Sequence, residues 1–377
     1  MFTYRSFYLI TMFVALIVTA CAPQVVSTPI PKPTDTSEDS PTVITTSTKS
    51  TPEPQEPSLT STSLPLPLTS TSTSIPTILP TPSSIISFEE RILAPIEIKY
   101  PDEIAFVQGF IWVKTDDGHV IQVDPATNSV VGDIKVDTTS DPYHYCQGLG
   151  TDGENIWACS ASGDEDHRTI DVVRIDPNSQ SVIETVKVGK IFDQFNMPFL
   201  LNQIWVLSGN GDKLIGIDTT ATQPSPAIDL GARCFQVAVV NSSLLVTCRL
   251  DNIVLRIDPE KMKVTERLTI TSPRSITATE NGIWLSQDNA VVHLDSESLN
   301  PVATFTKLFN TDIFATKEAV WVRLEDGFLY RIDPVNNQLI EQIKSDQNFS
   351  IGSILVTPDS IWTTASDDNL LIRLSLK

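Results

Sequence analysis

From about Phe88 to the C-terminus the chain repeats one arrangement of apolar and polar positions. "IWVKTDDGHVIQVDPATNSVVGDIKV", starting at Ile111, shows it: an apolar run around a tryptophan, a polar turn, an alternating run that ends on Asp-Pro, a second turn and a last apolar run. The phrase returns around Trp157, Trp205, Trp284, Trp321 and Trp362, and once with Leu245-Val246 in the tryptophan's place. Seven copies of about 40 residues have the period of propeller blades. Short alternating runs rich in Val, Ile and Trp predict half-buried antiparallel strands. Asp117-Gly118, Asp251-Asn252, Asp288-Asn289 and Asp326-Gly327 are pairs that tolerate the positive φ of tight hairpins. Asp124-Pro125, Asp176-Pro177, Asp258-Pro259 and Asp333-Pro334 set Asp and Pro at the first two positions of a type I turn.

Each copy therefore predicts a four-stranded meander, and one such sheet cannot shelter both faces alone. Blades must stack around an axis, with Trp112, Trp157, Trp205, Trp284, Trp321 and Trp362 filling the spaces between them. The last copy stops at Lys377 without an outer strand, while "PIEIKY", Pro95 to Tyr100, looks like one. The expected fold is all-β: a seven-bladed β-propeller over 88–377, its ring closed by an N-terminal strand so that no long edge stays open. Runs such as Val173-Arg174-Ile175-Asp176-Pro177 and Val254-Leu255-Arg256-Ile257-Asp258-Pro259 resemble the YVTN and virginiamycin-B-lyase-like propeller repeats of bacterial exported proteins. That resemblance implies architecture far more than activity, since one propeller scaffold hosts unrelated functions.

Upstream, "MFTYRSFYLITMFVALIVTAC" has a positive Arg5, an apolar stretch too short to span a bilayer, and Val18-Thr19-Ala20-Cys21. It resembles the lipobox of bacterial lipoproteins, which implies cleavage of residues 1–20 and lipid on Cys21. Residues 21–87 are dominated by Ser, Thr and Pro and offer little to bury, so a disordered stalk is expected. Together these place the propeller on the extracytoplasmic face of a bacterial membrane.

The net charge of −20 repels phosphate backbones and argues against nucleic acid as partner. Four cysteines beyond Cys21 stand as local pairs in two copies. In an exported chain they read as disulfides Cys146 to Cys159 and Cys234 to Cys248. The first pair is expected directly across a hairpin at Asp152-Gly153, and the second to need a bulge or longer turn. The rival, a zinc site, needs four ligands at one point, and another copy lies between the two pairs.

Loops after the tryptophan strands carry Asp116, Asp117, Asp164 to Asp166, Asp212, Asp251, Asp288, Glu325, Asp326, Asp367 and Asp368, a ring for cations or a basic partner unless the turns use them. On the same face the second copy's loops are enlarged, so Tyr143, His144, Tyr145, Asp166, His167, Phe192, Asp193 and Phe195 form the candidate ligand face. His293 stands where other copies have Arg174, Arg256 and Arg331 and is expected to point outward. No catalytic triad, phosphate loop or metal motif appears, and no metal ligand or cofactor is assigned. The leading reading is a lipid-anchored, monomeric binding or scaffolding module with a protein or small ligand on the loop face. The alternatives are a metal-assisted lyase or hydrolase in the central opening, and an accessory subunit of an envelope complex.

Overall fold

The computed structural model describes residues 75–79, 81–138, 146–163, 169–189, 196–309, 312–324, 328–345 and 352–377. Tyr143, His144, Tyr145, Asp166, His167, Phe192, Asp193, Phe195 and Cys21 lie outside them.

Seven antiparallel four-stranded meanders form a propeller ring. Blade 1 is Pro101–Val107, Phe110–Thr115, His119–Asp124 and Ser129–Lys135, from the channel outward. The last blade has Ile354–Val356, Ser360–Ala365 and Leu370–Ser375, and takes its outermost strand from Ile92–Glu97, paired antiparallel with Leu370–Ser375. Ring closure by an N-terminal strand is thus realised. Inner strands also touch between blades: Asn196–Met197 pairs parallel with Leu149-Gly150 of blade 2. A Cβ on Gly150 would meet the Met197 carbonyl at 2.0 Å, so only glycine permits that approach.

All six tryptophans are buried between blades, as is Leu245. Burial of an aromatic of this size contributes several kcal/mol, ~3–5 on truncation to alanine. Opposite each stands the residue of the third strand: Gln122, Arg174, Gly216, Arg256, His293, Arg331 and Arg373. Guanidinium carbons of Arg174, Arg331 and Arg373 lie 5.7, 5.5 and 5.0 Å from the rings they face, within cation–π range.

His293 departs from expectation. It is buried, stacks on Trp284 with ring centroids 4.3 Å apart, and turns its two nitrogens to the Asn281 carbonyl at 2.9 Å and the Asn337 side chain at 2.7 Å. The reason is general to the fold. In five blades this residue crosses to the turn of the next blade: Gln122 to Pro177 O, Arg174 to Thr219 O, Arg256 to Ser296 O, His293 to Asn337, and Arg373 to Pro125 O and Asn128. The position is a latch between blades, and a strand side chain pointing outward from one sheet points into its neighbour.

The turn aspartates accept backbone N–H groups two or three residues on, as Asp176 does from Asn178 and Asp333 from Val335. The fourth residue after each takes positive φ: Asn128, Gln180, Thr222, Met262, Leu299 and Asn337. Of the tight-hairpin pairs, Gly118 and Asn252 have positive φ and Asn289 does not.

Both disulfides are present, Cys146–Cys159 and Cys234–Cys248. Their registers correct the hairpin expectation. Cys159 exchanges hydrogen bonds with Gly148, two residues beyond Cys146, so the first bridge runs diagonally. In blade 4 the strands Gln236–Val240 and Ser243–Cys248 pair without interruption through a two-residue turn at Asn241, φ 54°, and no bulge is needed.

Strand pairing also begins before Phe88, inside the span read as stalk. Thr77–Ile78 lies parallel to Thr304-Phe305 on the outer edge of blade 5, and Ser84–Ser87 parallel to Glu341–Lys344 on blade 6. Ser87 then caps the short helix Phe88–Arg91, whose Phe88 is buried and whose Arg91 pairs with Glu341. An edge strand spends mainly backbone groups, so a segment poor in large apolar residues can fill it. This strap covers successive edges of blades 5, 6 and 7.

Arg373 latches the last blade to the first, so Arg373→Ala is expected to lower unfolding free energy in urea by about 2–4 kcal/mol. Lys263→Ala, on an exposed outer strand, is expected to change it by less than about 0.5 kcal/mol.

Candidate functional site

The inner strands enclose a cavity of about 460 Å³ lined by residues from all seven blades. Its most ordered feature is a belt at the end where the inner strands begin. Counting nine residues back from each tryptophan, or from Leu245, gives Glu103, Gly148, Asn196, Gln236, Ser275, Asp312 and Ser353. Each polar member from Asn196 onward reaches the next blade. Asn196 Oδ1 accepts from Val237 N, Gln236 Oε1 from Ile276 N, Ser275 Oγ from Ile313 N, and Asp312 Oδ2 from Ile354 N. Ser275 also donates to Asp312 Oδ1 at 2.6 Å, and Ser353 donates to Glu103 Oε2 at 2.8 Å. Gly148 interrupts the belt in blade 2.

Behind the belt lie two buried cations. Lys114 and Arg323 occupy the same place, two residues after their tryptophans, and are fully or nearly fully buried. Lys114 Nζ lies 3.6 Å from Asp137 Oδ2, and Arg323 donates to the carbonyls of Gly352 and Thr364. Burial pulls Lys114 below the usual lysine range and brings Arg323 down to about 10, so the guanidinium stays charged at neutral pH.

Carboxyls surround these cations. Burial raises Glu103 well above its ordinary value and also raises Asp312, though both keep part of their surface on the channel. Asp102 is pushed up to about 8, first by burial and then by the charge of Asp116. Its Oδ2 is buried and has no hydrogen-bond partner among the described residues. Asp116 in turn accepts from Gln147 at 3.0 Å. Burial at this end of the channel thus favours the protonated form of these carboxyls, and a cation beside them would favour the charged form.

The acidic loops around this mouth are partly committed to the fold. Asp117 pairs with Lys99, Asp212 accepts from Asn210 N, Asp251 from Arg233 N, and Asp288 bonds both Arg249 and Arg274. Asp164 to Asp166, Glu325 and Asp326 lie outside the described residues. Among the described residues no three His, Cys, Asp or Glu side chains converge as metal ligands. The belt was missed by motif reading because its members differ chemically. Only the tryptophan register brings Glu103, Asn196, Gln236, Ser275, Asp312 and Ser353 into one column.

No family model and no curated protein matches the chain. Among solved structures, it is similar to the β-propeller domain of Cps50 (Swd1) from Myceliophteria thermophila, with a TM-score of 0.61 and 13% identity over 76% of this chain and 99% of that one. At that identity the likeness concerns the fold: the chain carries a seven-bladed β-propeller.

The native state holds the Asp102 proton up to about pH 8, whereas an unfolded aspartate releases it near 3.8. Between those values the native state binds more protons, so stability falls as pH rises. Glu103, Asp116, Asp137 and Asp312 act with the same sign. The turn aspartates Asp176, Asp218, Asp258 and Asp333, held low by hydrogen bonds, lose their contribution only at more acid pH. Lys114, lowered, acts in the alkaline range with opposite sign. Tm is therefore expected to drop from pH 5 to pH 8.5. Asp102→Asn, which keeps a neutral donor, is expected to show a shallower drop and a higher Tm than the native chain at pH 8.5. Parallel profiles in differential scanning calorimetry would refute the assignment.

Proposed function

We propose that this protein is a bacterial surface lipoprotein whose propeller is a binding module for a partner that presents a basic group to the loop face. In this reading Cys21 carries the lipid after residues 1–20 are removed, and the Ser/Thr/Pro-rich stretch spaces the propeller from the bilayer. Acyl chains bury at ~0.8 kcal/mol per methylene, so a multiply acylated Cys21 holds the chain stably. The repeat phrase further assigns the propeller to the YVTN and virginiamycin-B-lyase-like group. Two buried disulfides fit an oxidising compartment outside the cytoplasm.

One observation carries the binding reading. The charged residues of the channel lining, Glu103 and Asp312, both sit in the belt at the end where the acidic loops lie. A basic group entering there meets two enclosed carboxyls in a setting where charge–charge attraction is stronger than in water. The net charge of −20 draws such a partner from a distance. Asn196 and Gln236 supply neutral hydrogen-bonding groups for orientation.

Cys21→Ser is expected to move the protein from the membrane fraction to the soluble fraction, read by detergent phase partition of cells expressing each form. A photo-crosslinking residue at Asp117, on the loop face, is expected to trap a defined partner in intact cells. The same residue at the exposed Val335, on the opposite face, is expected to trap none. Capture that depends on Val335 and not on Asp117 would overturn the loop-face reading.

A further inference from the structure

The latch between blades is absent at two places: Gly216 of blade 3 has no side chain to offer, and at blade 6 the cause is the ring closure itself. Arg331 of blade 6 faces Trp321 and should reach the turn after the third strand of blade 7. That turn does not exist, because the outer strand of blade 7 is Ile92–Glu97, brought from the other end of the chain. Its second acceptor is diverted as well. Arg174 and Arg256 lie within 3.0 and 3.6 Å of the glutamates across from them, Glu184 and Glu266. The glutamate across from Arg331 is Glu341, which Arg91 of the strap takes, leaving Arg331 Nη1 3.9 Å away. Arg331 donates no hydrogen bond to any described residue, and its Nε is buried without an acceptor. Arg174 and Arg256 share the unmet Nε, but their terminal nitrogens are bound.

Arg91 thus holds Glu341, and the Arg331 guanidinium is left without a carboxylate at hydrogen-bond distance. A cavity of about 640 Å³ opens onto it, lined by Trp321, Arg331, Ala319, Val356, Pro358 and Leu376 among others. That volume suits a small organic molecule. Its apolar walls are an indole and aliphatic groups, and its polar lining is the planar N–H fork of Arg331 with Thr316, Glu318, Thr357 and Lys377.

We infer that the seam pocket binds a monocarboxylate with an apolar body, its carboxylate on the Arg331 guanidinium and its body against Trp321 and the aliphatic wall. A guanidinium fork matches a carboxylate with two parallel hydrogen bonds. A single guanidinium fork, with Glu318 also lining the pocket, favours one negative charge over two. The chain's net charge opposes anions at long range, yet beyond about 8–10 Å exposed charges are screened at 0.1–0.15 M salt, so the contact pair decides. The site lies at the opposite end of the blades from the loop face and does not depend on the function proposed above.

The carboxylate could belong to a free acid or to a peptide C-terminus, and calorimetric titration of the intact protein separates them. The probes are benzoate and hexanoate against benzamide and hexanamide, and a short peptide ending in Phe with a free or an amidated C-terminus. At least one carboxylate is expected to bind tenfold or more tighter than its amide, and which pair discriminates names the source. Arg331→Gln is expected to abolish the difference and Arg174→Gln to preserve it. Should Arg331→Gln fail to fold, Arg331→Lys, which keeps the charge and loses the fork, is expected to weaken the preference severalfold. Equal binding of acid and amide in every pair would overturn the assignment, as would a preference that survives in Arg331→Gln or stays undiminished in Arg331→Lys.

Discussion

A four-stranded blade of this protein has two apolar faces and can bury both only by standing between two others. Ile111, Trp112 and Val113, consecutive residues of one strand, are each 0% exposed, although alternate side chains point to opposite faces. No open row of such sheets satisfies that demand, because its two end blades would each leave a face in water. The ring has to close, and the pairing of Ile92–Glu97 with Leu370–Ser375 closes it. The tryptophans fill the wedges that follow, and in five blades the residue opposite binds the blade to the turn of the next.

Closure has a geometrical consequence. Joining the two ends of a chain in one sheet removes one turn, and with it the acceptor that an arginine at the seam would otherwise use. The strap that brings the closing strand covers two further edges and claims Glu341 through Arg91. The seam is therefore the place where the chain's two ends meet in one sheet and where Arg331 loses both of its expected acceptors. At the other end of the blades, hydrogen bonds carry the belt from Asn196 round to Glu103, and burial raises Glu103 and Asp312 within it.

Much of this was legible in the sequence because one register organises it. Trp112 and its counterparts, the Asp-Pro turns and the paired cysteines recur at fixed offsets, and offsets survive the change from sequence to space. His293 was misread because a single sheet has an outside and a stacked sheet does not. The strap at Thr77–Ile78 and Ser84–Ser87 was hidden by composition, since edge pairing through backbone groups leaves almost no signature in side chains. The belt carries no common residue type, so Glu103, Gly148, Asn196 and Gln236 become equivalent only once the tryptophans are aligned.

Strand Ile92–Glu97 completes the ring, and the ring, rather than any single blade, is the folding unit. Thermal unfolding of two truncations by calorimetry tests it most directly. A chain starting at residue 75, with the strap and closing strand intact, should melt in one cooperative transition at the Tm of the full chain. A chain starting at residue 98 should lose that transition or melt far lower, with blades 1 and 7 exposed. If the second truncation keeps a cooperative transition within a few degrees of the first, the account is wrong.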